Sequence, residues 1–141
     1  MIGPWSGTIS AYRARMKAKT IDDVVVYREA EGASDAVSAI LERAALSKDF
    51  DLKNQLSRSS SRVAPLIAEG FGQLTDRHLA VYLGRARGSA LETNGHLRKA
   101  LRKQFMSDSE YTDLRAKYVL IVKRLTTWIG YLKRSDWDDR G

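Results

Sequence analysis

VAPLIAEGFG, Val63 to Gly72, sets a proline inside an apolar run of helical spacing and then places Glu69 between alanine and glycine. Pro65 has no N–H for the carbonyl of Ser61, and its ring crowds that carbonyl, which costs roughly 3 kcal/mol in a regular helix. The serines at 59–61 can return hydrogen bonds to freed carbonyls, so a kinked but continuous helix is expected. Glu69 falls in the last turn, at the negative end of the helix dipole, where a carboxylate costs a few tenths to about 1 kcal/mol. A cation should offset it. Arg77, Arg85 and Arg87, beyond the turn made by Gly70 and Gly72, are the nearest candidates in an antiparallel hairpin. On this reading Pro65, Glu69, Gly70 and Gly72 form a structural junction between two helices; the alternative leaves Glu69 exposed for a partner.

Outward from this stretch, four segments carry helical spacing, and no strand-type alternation is long enough to compete. The first opens at TIDD, where Thr20 and Asp23 have capping-box spacing. Its apolar face is Val26, Ala30, Ala33, Val37, Ile40, Leu41 and Ala44, ending near Ser47. The second begins around Asp51 and buries Leu52, Leu56, Val63, Ile67 and Phe71, with Ser59 and Ser60 filling the turn between. The third runs from about Thr75 to Gln104, its stripe Leu79, Leu83, Ala86, Ala90, Leu97 and Leu101 interrupted at Asn94. The fourth has Tyr111, Leu114, Tyr118, Ile121, Leu125, Trp128 and Leu132 at alternating steps of three and four, behind a Ser107–Glu110 capping box. Amphipathic helices on short connections cannot bury their stripes singly. The expected fold is therefore all-α, an antiparallel up-down four-helix bundle over residues 21–134, with a basic N-terminal arm at 1–20 and a C-terminal tail at 135–141.

The whole chain agrees with one such domain. Its 141 residues are 43% hydrophobic and 29% charged, enough for a core without disulfides or a structural metal. The absence of cysteine excludes thiol catalysis and cysteine-ligated zinc. No apolar run approaches the ~18 residues of a membrane span, and the N-terminus lacks the apolar core of a secretory signal, so a cytoplasmic location and no membrane partner are expected. The arm carries Arg13, Arg15, Lys17 and Lys19 with no acid, a bias that a transit peptide would share.

The stretch LKNQLSRSSSRVAPLIAEGFGQ, Leu52 to Gln73, followed by ARGSALETNGHL, Ala86 to Leu97, resembles the 23S rRNA-intervening-sequence family, also called four-helix bundle proteins. That family leads a glutamine and an arginine on its second helix into an NIAEG-type turn. Gln55, Arg58, Ile67, Ala68, Glu69, Gly70, Phe71 and Gly72 match the pattern, and Gly88, Ser89, Glu92 and Leu97 match a segment of its third helix. The opening DDVVVYREA, Asp22 to Ala30, is similar to the family's start, so the resemblance spans about residues 21–133. Leu66 stands where the family usually has asparagine, Arg62 where it has serine, and Pro65 one position after the family's proline. The resemblance implies a small bundle encoded by insertions within ribosomal RNA genes, with a related branch serving as accessory subunit of a reverse transcriptase in diversity-generating retroelements. It also implies homo-oligomers, often pentamers, and no enzymatic activity.

The residues point the same way on catalysis. His78 and His96 have no metal-ligand spacing such as HxxxH, so no metal or cofactor is expected. The run SRSSSR has no paired histidine and suits close helix approach better than nucleophilic attack. Glu69 and Glu92 would need a cleft that a filled four-helix core does not supply. The glycine-rich turns lack the lysine and hydroxyl residue of a phosphate-binding loop.

Charge is the stronger lead. Residues 75–104 hold seven Lys and Arg against two acids. At 100° per residue, Arg77, Arg87, Arg98, Lys99, Arg102 and Lys103 lie away from the apolar stripe, with Arg85 at its margin. Arg85, Arg87, Arg98, Lys99, Arg102 and Lys103 are the candidate nucleic-acid-binding residues, since neutralised phosphates release counterions. The plainer alternative is a solvated face that aids solubility or pairs with the acidic first helix. Tyr12, among the arm's cations, could stack on a base. Gly84, Ala86, Gly88, Ser89 and Ala90 make a small-residue surface suited to packing inside the bundle or to a subunit interface. The expected protein is a non-enzymatic, homo-oligomeric bundle that binds RNA through this face. The rival is a protein-interaction scaffold, such as a reverse-transcriptase accessory subunit.

Overall fold

The computed structural model describes residues 18–138, with side chains through residue 134. The arm expected at 1–20 therefore lies outside the described residues except for its last three, and Tyr12 lies outside them as well. A short 3-10 turn, Ile21–Asp23, leads into α1 (Val25–Leu41), followed by the short α2 (Ala44–Ser47), α3 (Phe50–Phe71), α4 (Asp76–Arg102) and α5 (Asp108–Asp138). Among the described residues there is no strand, and no helix is long and apolar enough to cross a membrane. The last helix continues to Asp138, past the boundary at 134 where a tail was expected.

The four long helices form a ring in which α1 packs on α3, α3 on α4, α4 on α5, and α5 back on α1, with the most extensive packing at α3–α4 and α4–α5. Partner residues run in opposite order along neighbouring helices. Asp49 at the start of α3 meets Lys103 at the end of α4, Ser59 meets Thr93, and Gly70 meets Leu79 and Tyr82. Arg43 after α1 likewise meets Glu110 at the start of α5, and Glu29 meets Arg124.

The 3-10 turn and helices α3, α4 and α5 begin where the sequence supplies acceptors for unpaired N–H groups. The Asp23 carboxylate accepts from the N–H groups of Lys19 and Thr20, at 2.8 and 3.0 Å. Asp49 accepts from Leu52 N–H at 3.2 Å, and Thr75 Oγ1 from His78 N–H at 3.2 Å. The Ser107–Glu110 box closes reciprocally, with both bonds at 3.1 Å.

The core follows the expected stripes with three local differences. The first segment breaks at Arg43, whose backbone is extended, so Ala44 turns outward and Leu46 is buried instead. On α4 the stripe passes through buried Thr93 without an interruption at Asn94, and Ala100 is fully buried while Leu101 is half-buried. The sets on α3 and α5 are buried as expected, Tyr111 only in part.

The α3–α4 seam contains polar residues that pair across it. The Thr93 hydroxyl lies 2.9 Å from Ser59 Oγ and 2.8 Å from the Ser89 carbonyl, all three residues being buried. One proton serves only one acceptor at a time, so the Thr93 hydroxyl donates to Ser59 Oγ or to the Ser89 carbonyl, while the Ser59 hydroxyl donates to the Leu56 carbonyl. The helix runs unbroken through Pro65, whose ring is exposed. The serine hydroxyls bond the carbonyls of Leu56, Ser57 and Arg58, three residues back in each case, and not the Ser61 carbonyl that proline frees.

The junction differs from expectation in its residue roles. Glu69 is exposed, and its carboxylate forms no ion pair among the described residues, so the pairing with Arg77, Arg85 or Arg87 does not occur. Its carbonyl accepts from the Gln73 amide at 3.1 Å. Gly72 caps α3 at φ −78°, and a Cβ there would meet nothing nearer than 3.6 Å, so the turn does not require glycine at that position. Gly70 is the constraint. A Cβ there would stand 2.8 Å from Tyr82 Cβ and 3.1 Å from Leu79 Cδ1, and a Cβ attached to the facing backbone cannot give way cheaply. Gly70→Ala should therefore lower unfolding stability by about 1 to 3 kcal/mol, whereas Glu69→Gln should stay within about 0.5 kcal/mol of the parent. Denaturant midpoints measure both.

Candidate nucleic-acid interface

Helix α4 ends in a Schellman-type turn. The Phe105 N–H bonds the Ala100 carbonyl at 3.0 Å, and the Gln104 N–H bonds the Leu101 carbonyl at 2.9 Å. Gln104 has φ 63°, a left-handed conformation that glycine usually supplies, so the sequence carried no glycine to announce the turn. This rigid stop fixes the last two turns of α4, which hold four of the six candidate cations.

The structure sorts the six by environment. Arg98, Lys99 and Arg102 are exposed and form no ion pair among the described residues. Lys103 is exposed but bonded to Asp49, the N-cap of α3, so an acid distant in sequence supplies the charge that its own helix lacks. Asp49 is held below its usual carboxylate pKa, first by the Lys103 hydrogen bond and then by the Leu52 N–H, with a weaker contribution from Lys99. Arg87 is half-buried in the α4–α5 seam, where its Nε donates to Thr126 Oγ1 at 2.7 Å. Arg85 is exposed over the Tyr82 ring, 5.2 Å from its centroid. The continuous basic helix of the sequence pattern thus becomes a compact cluster at one end and two isolated arginines.

Within the cluster, Arg98 and Arg102 are one turn apart on one line of the helix, and Lys99 and Lys103 on the next. Like charges at this spacing repel by a few tenths of a kcal/mol. Asp49 relieves the lysine line, while the arginine line has no counter-charge. Cations in the last turn of a helix also complement its dipole, which accounts for part of their presence.

The other singled-out side chains divide between caps and surface. His78 Nδ1 lies 3.0 Å from the Thr75 hydroxyl in the α4 cap. His96 lies 3.4 Å from the exposed Glu92 one turn away. Among the described residues no group of three His, Cys, Asp or Glu could hold a metal ion. An open groove of about 610 Å³ between α4 and α5 has an apolar floor that includes Ala80, Gly84 and Ile129, with Arg77, Arg87 and Lys133 around it. Hydrophobic periodicity marks this seam as packing and so gave no sign of the groove.

A family model described as 23S rRNA-intervening sequence protein matches residues 22–127. No curated protein matches the chain. The matched span runs from the 3-10 turn through most of α5 and so includes the junction and the cationic cluster.

The end of the bundle that carries the cluster is also held by carboxylates. Glu110 is lowered to about 2 by the Arg43 guanidinium and, after it, by the Ser107 N–H. Because the folded pKa of Glu110 lies below the unfolded one, its contribution is fully present above about pH 4.5 and is lost as pH falls toward 2, and the lowered pKa of Asp49 acts in the same direction. Both pairs are solvent-exposed in part, so the effect is modest. Thermal midpoints recorded between pH 6 and pH 2.5 should decline, and the decline should be shallower in Glu110→Gln and Asp49→Asn.

Proposed function

The chain belongs to the 23S rRNA-intervening sequence protein family, and we propose that it is a non-enzymatic, cytoplasmic, self-associating bundle that binds RNA through the C-terminal turns of α4. The observation that carries this reading is the pair Arg98 and Arg102, exposed, one turn apart and without an acidic partner among the described residues. Lys99 stands beside them. A phosphate backbone presents anions at the spacing that such a cluster lacks, and its binding would relieve the repulsion within the arginine line.

Self-association is supported by the same helix. Gly84, Gly88 and Gly95 face open space, with no atom within 4 Å of where a Cβ would stand. Val81 and Leu91, 48% and 46% exposed, lie on the same line at steps of three and four. Ala86, Ser89 and Ala90 are buried and serve the bundle, so the small residues of α4 divide into an inner and an outer set. The outer set lets a second backbone approach closely, and repeating the cationic cluster in a ring would raise avidity. Exposed Val81 and Leu91 also suit a different protein, the scaffold reading, in which a reverse transcriptase or similar partner would cover them.

Gly88→Leu should keep the monomer folded, since its side chain enters open space and helix propensity improves. It should nevertheless abolish assembly. Light scattering of the parent should give a mass several times 15.8 kDa and that of the variant a mass near 15.8 kDa; a monomeric parent at micromolar concentration overturns the assembly.

Replacing Arg98, Lys99 and Arg102 together by glutamine should leave the unfolding midpoint near that of the parent and weaken RNA binding uniformly across sequences. The slope of log affinity against log salt should become shallower by about one unit for each phosphate that is no longer neutralised. An unchanged slope would transfer the function to the scaffold reading.

A further inference from the structure

Phe50, the first residue of α3, is 72% exposed. It is the most exposed large hydrophobic side chain among the described residues, and the others of that kind are all Val or Leu. Phe71, Tyr118 and Trp128 are buried, and Tyr27, Tyr82, Phe105, Tyr111 and Tyr131 are half-buried, so an outward aromatic ring departs from the pattern of the described bundle. Nor does helix initiation call for it. Capping at this end is done by Asp49, and a hydrophobic staple would use the positions of Lys48 and Lys53, not that of Phe50.

The ring is mounted rigidly. Asp49 is tied through its side chain to the Leu52 N–H and to Lys103, and through its own N–H to the Leu46 carbonyl at 3.0 Å. Phe50 therefore projects from a backbone fixed on both sides, and the residue before it is bonded to the cationic end of α4. Asp49 is neutralised by Lys103, and Glu42 by Lys53 at 3.3 Å. Asp51 is the other acid next to Phe50 in sequence, against Lys48 and against Lys99, which is near enough to act on Asp49; neither lysine forms an ion pair among the described residues.

From this juxtaposition we infer that Phe50 is a stacking platform for an unpaired base, and that the RNA taken by the cluster is single-stranded at this point. The inference rests on the RNA-binding reading and names the form of RNA. An aromatic face accepts any base, while the neighbouring cations hold the backbone. In an A-form duplex the bases are stacked on one another and their faces are not available. The cations alone would bind both forms; the ring adds a contact that only the single strand can make.

The test compares labelled oligouridylate with a blunt RNA duplex of equal length, using the full chain. Phe50→Ala and Phe50→Leu should each weaken oligouridylate binding about tenfold with the salt slope unchanged, and leave duplex affinity as it was. Phe50→Tyr should restore single-strand affinity. The exposed position predicts parental unfolding midpoints for all three. If the alanine and leucine variants bind oligouridylate like the parent while the parent keeps a steep salt slope, the stacking role is wrong and the RNA reading stands. If the parent binds neither RNA, both fall. A loss of assembled mass in Phe50→Ala would make the ring a subunit contact and overturn the inference.

Discussion

Gly70 leaves no room between α3 and α4. Its missing Cβ is what allows Tyr82 and Leu79 to press against the α3 backbone, and the Ser59–Thr93 contact holds the same close spacing further along the seam. Two helices clamped at two points have one register. That register carries Asp49 to Lys103 at the far end, so the start of α3 and the end of α4 meet as a consequence of a glycine near the opposite end of α3. The same closeness excludes Glu69. With the last turn of α3 seated on α4 through Gly70, its neighbour in sequence points outward, and its carboxylate stays in water where the dipole penalty is screened.

Electrostatic pairing is concentrated where the clamp delivers it. Asp49–Lys103, Arg43–Glu110 and Lys53–Glu42 join helix ends that the packing brings together, and two of the three use residues that also cap a helix. Partly exposed pairs of this kind contribute little stability each. Their larger effect is on charge distribution. They neutralise Lys103, Arg43 and Lys53 and leave Arg98, Lys99 and Arg102 without ion-pair partners among the described residues.

Much of this was legible because it is local. The stripe on α5, the Ser107–Glu110 box and the burial of Ser59 and Ser60 depend on residues within a few turns of one another, and periodicity reports them directly. The misreadings concern partners distant in sequence. A helical wheel gave Arg87 to the solvent side, but α4 packs on both α3 and α5, and its buried arc is wide enough to draw Arg87 into the second seam against Thr126. Lys103 looked unopposed because its acid lies 54 positions away. The stripe on α4 looked interrupted at Asn94 because the hydroxyl partner that lets Thr93 be buried, Ser59, is on another helix. The end of α4 was placed near Gln104 by periodicity alone, since Gln104 takes the left-handed conformation that glycine usually supplies. Phe50 is a case of another kind: hydrophobicity marks it for burial, and only the packed bundle shows that nothing covers it.

The outer line of α4 places two demands on one helix face. Val81, Gly84, Gly88, Leu91 and Gly95 lie on it, and Arg98 and Arg102 continue it at the same steps of three and four. In the proposed assembly, copies that approached in parallel through the glycines would bring their arginine ends toward one another, and unscreened like charges would oppose that approach. A bound polyanion removes the opposition. Assembly and RNA binding then share one free energy of coupling: whatever RNA contributes to association of the copies, association must return to RNA affinity by the same factor. Such a coupling would follow from the fold itself, because the packing of α3 on α4 turns the polar and small residues of one side inward and leaves the glycines and arginines of the other side together on a single exposed line.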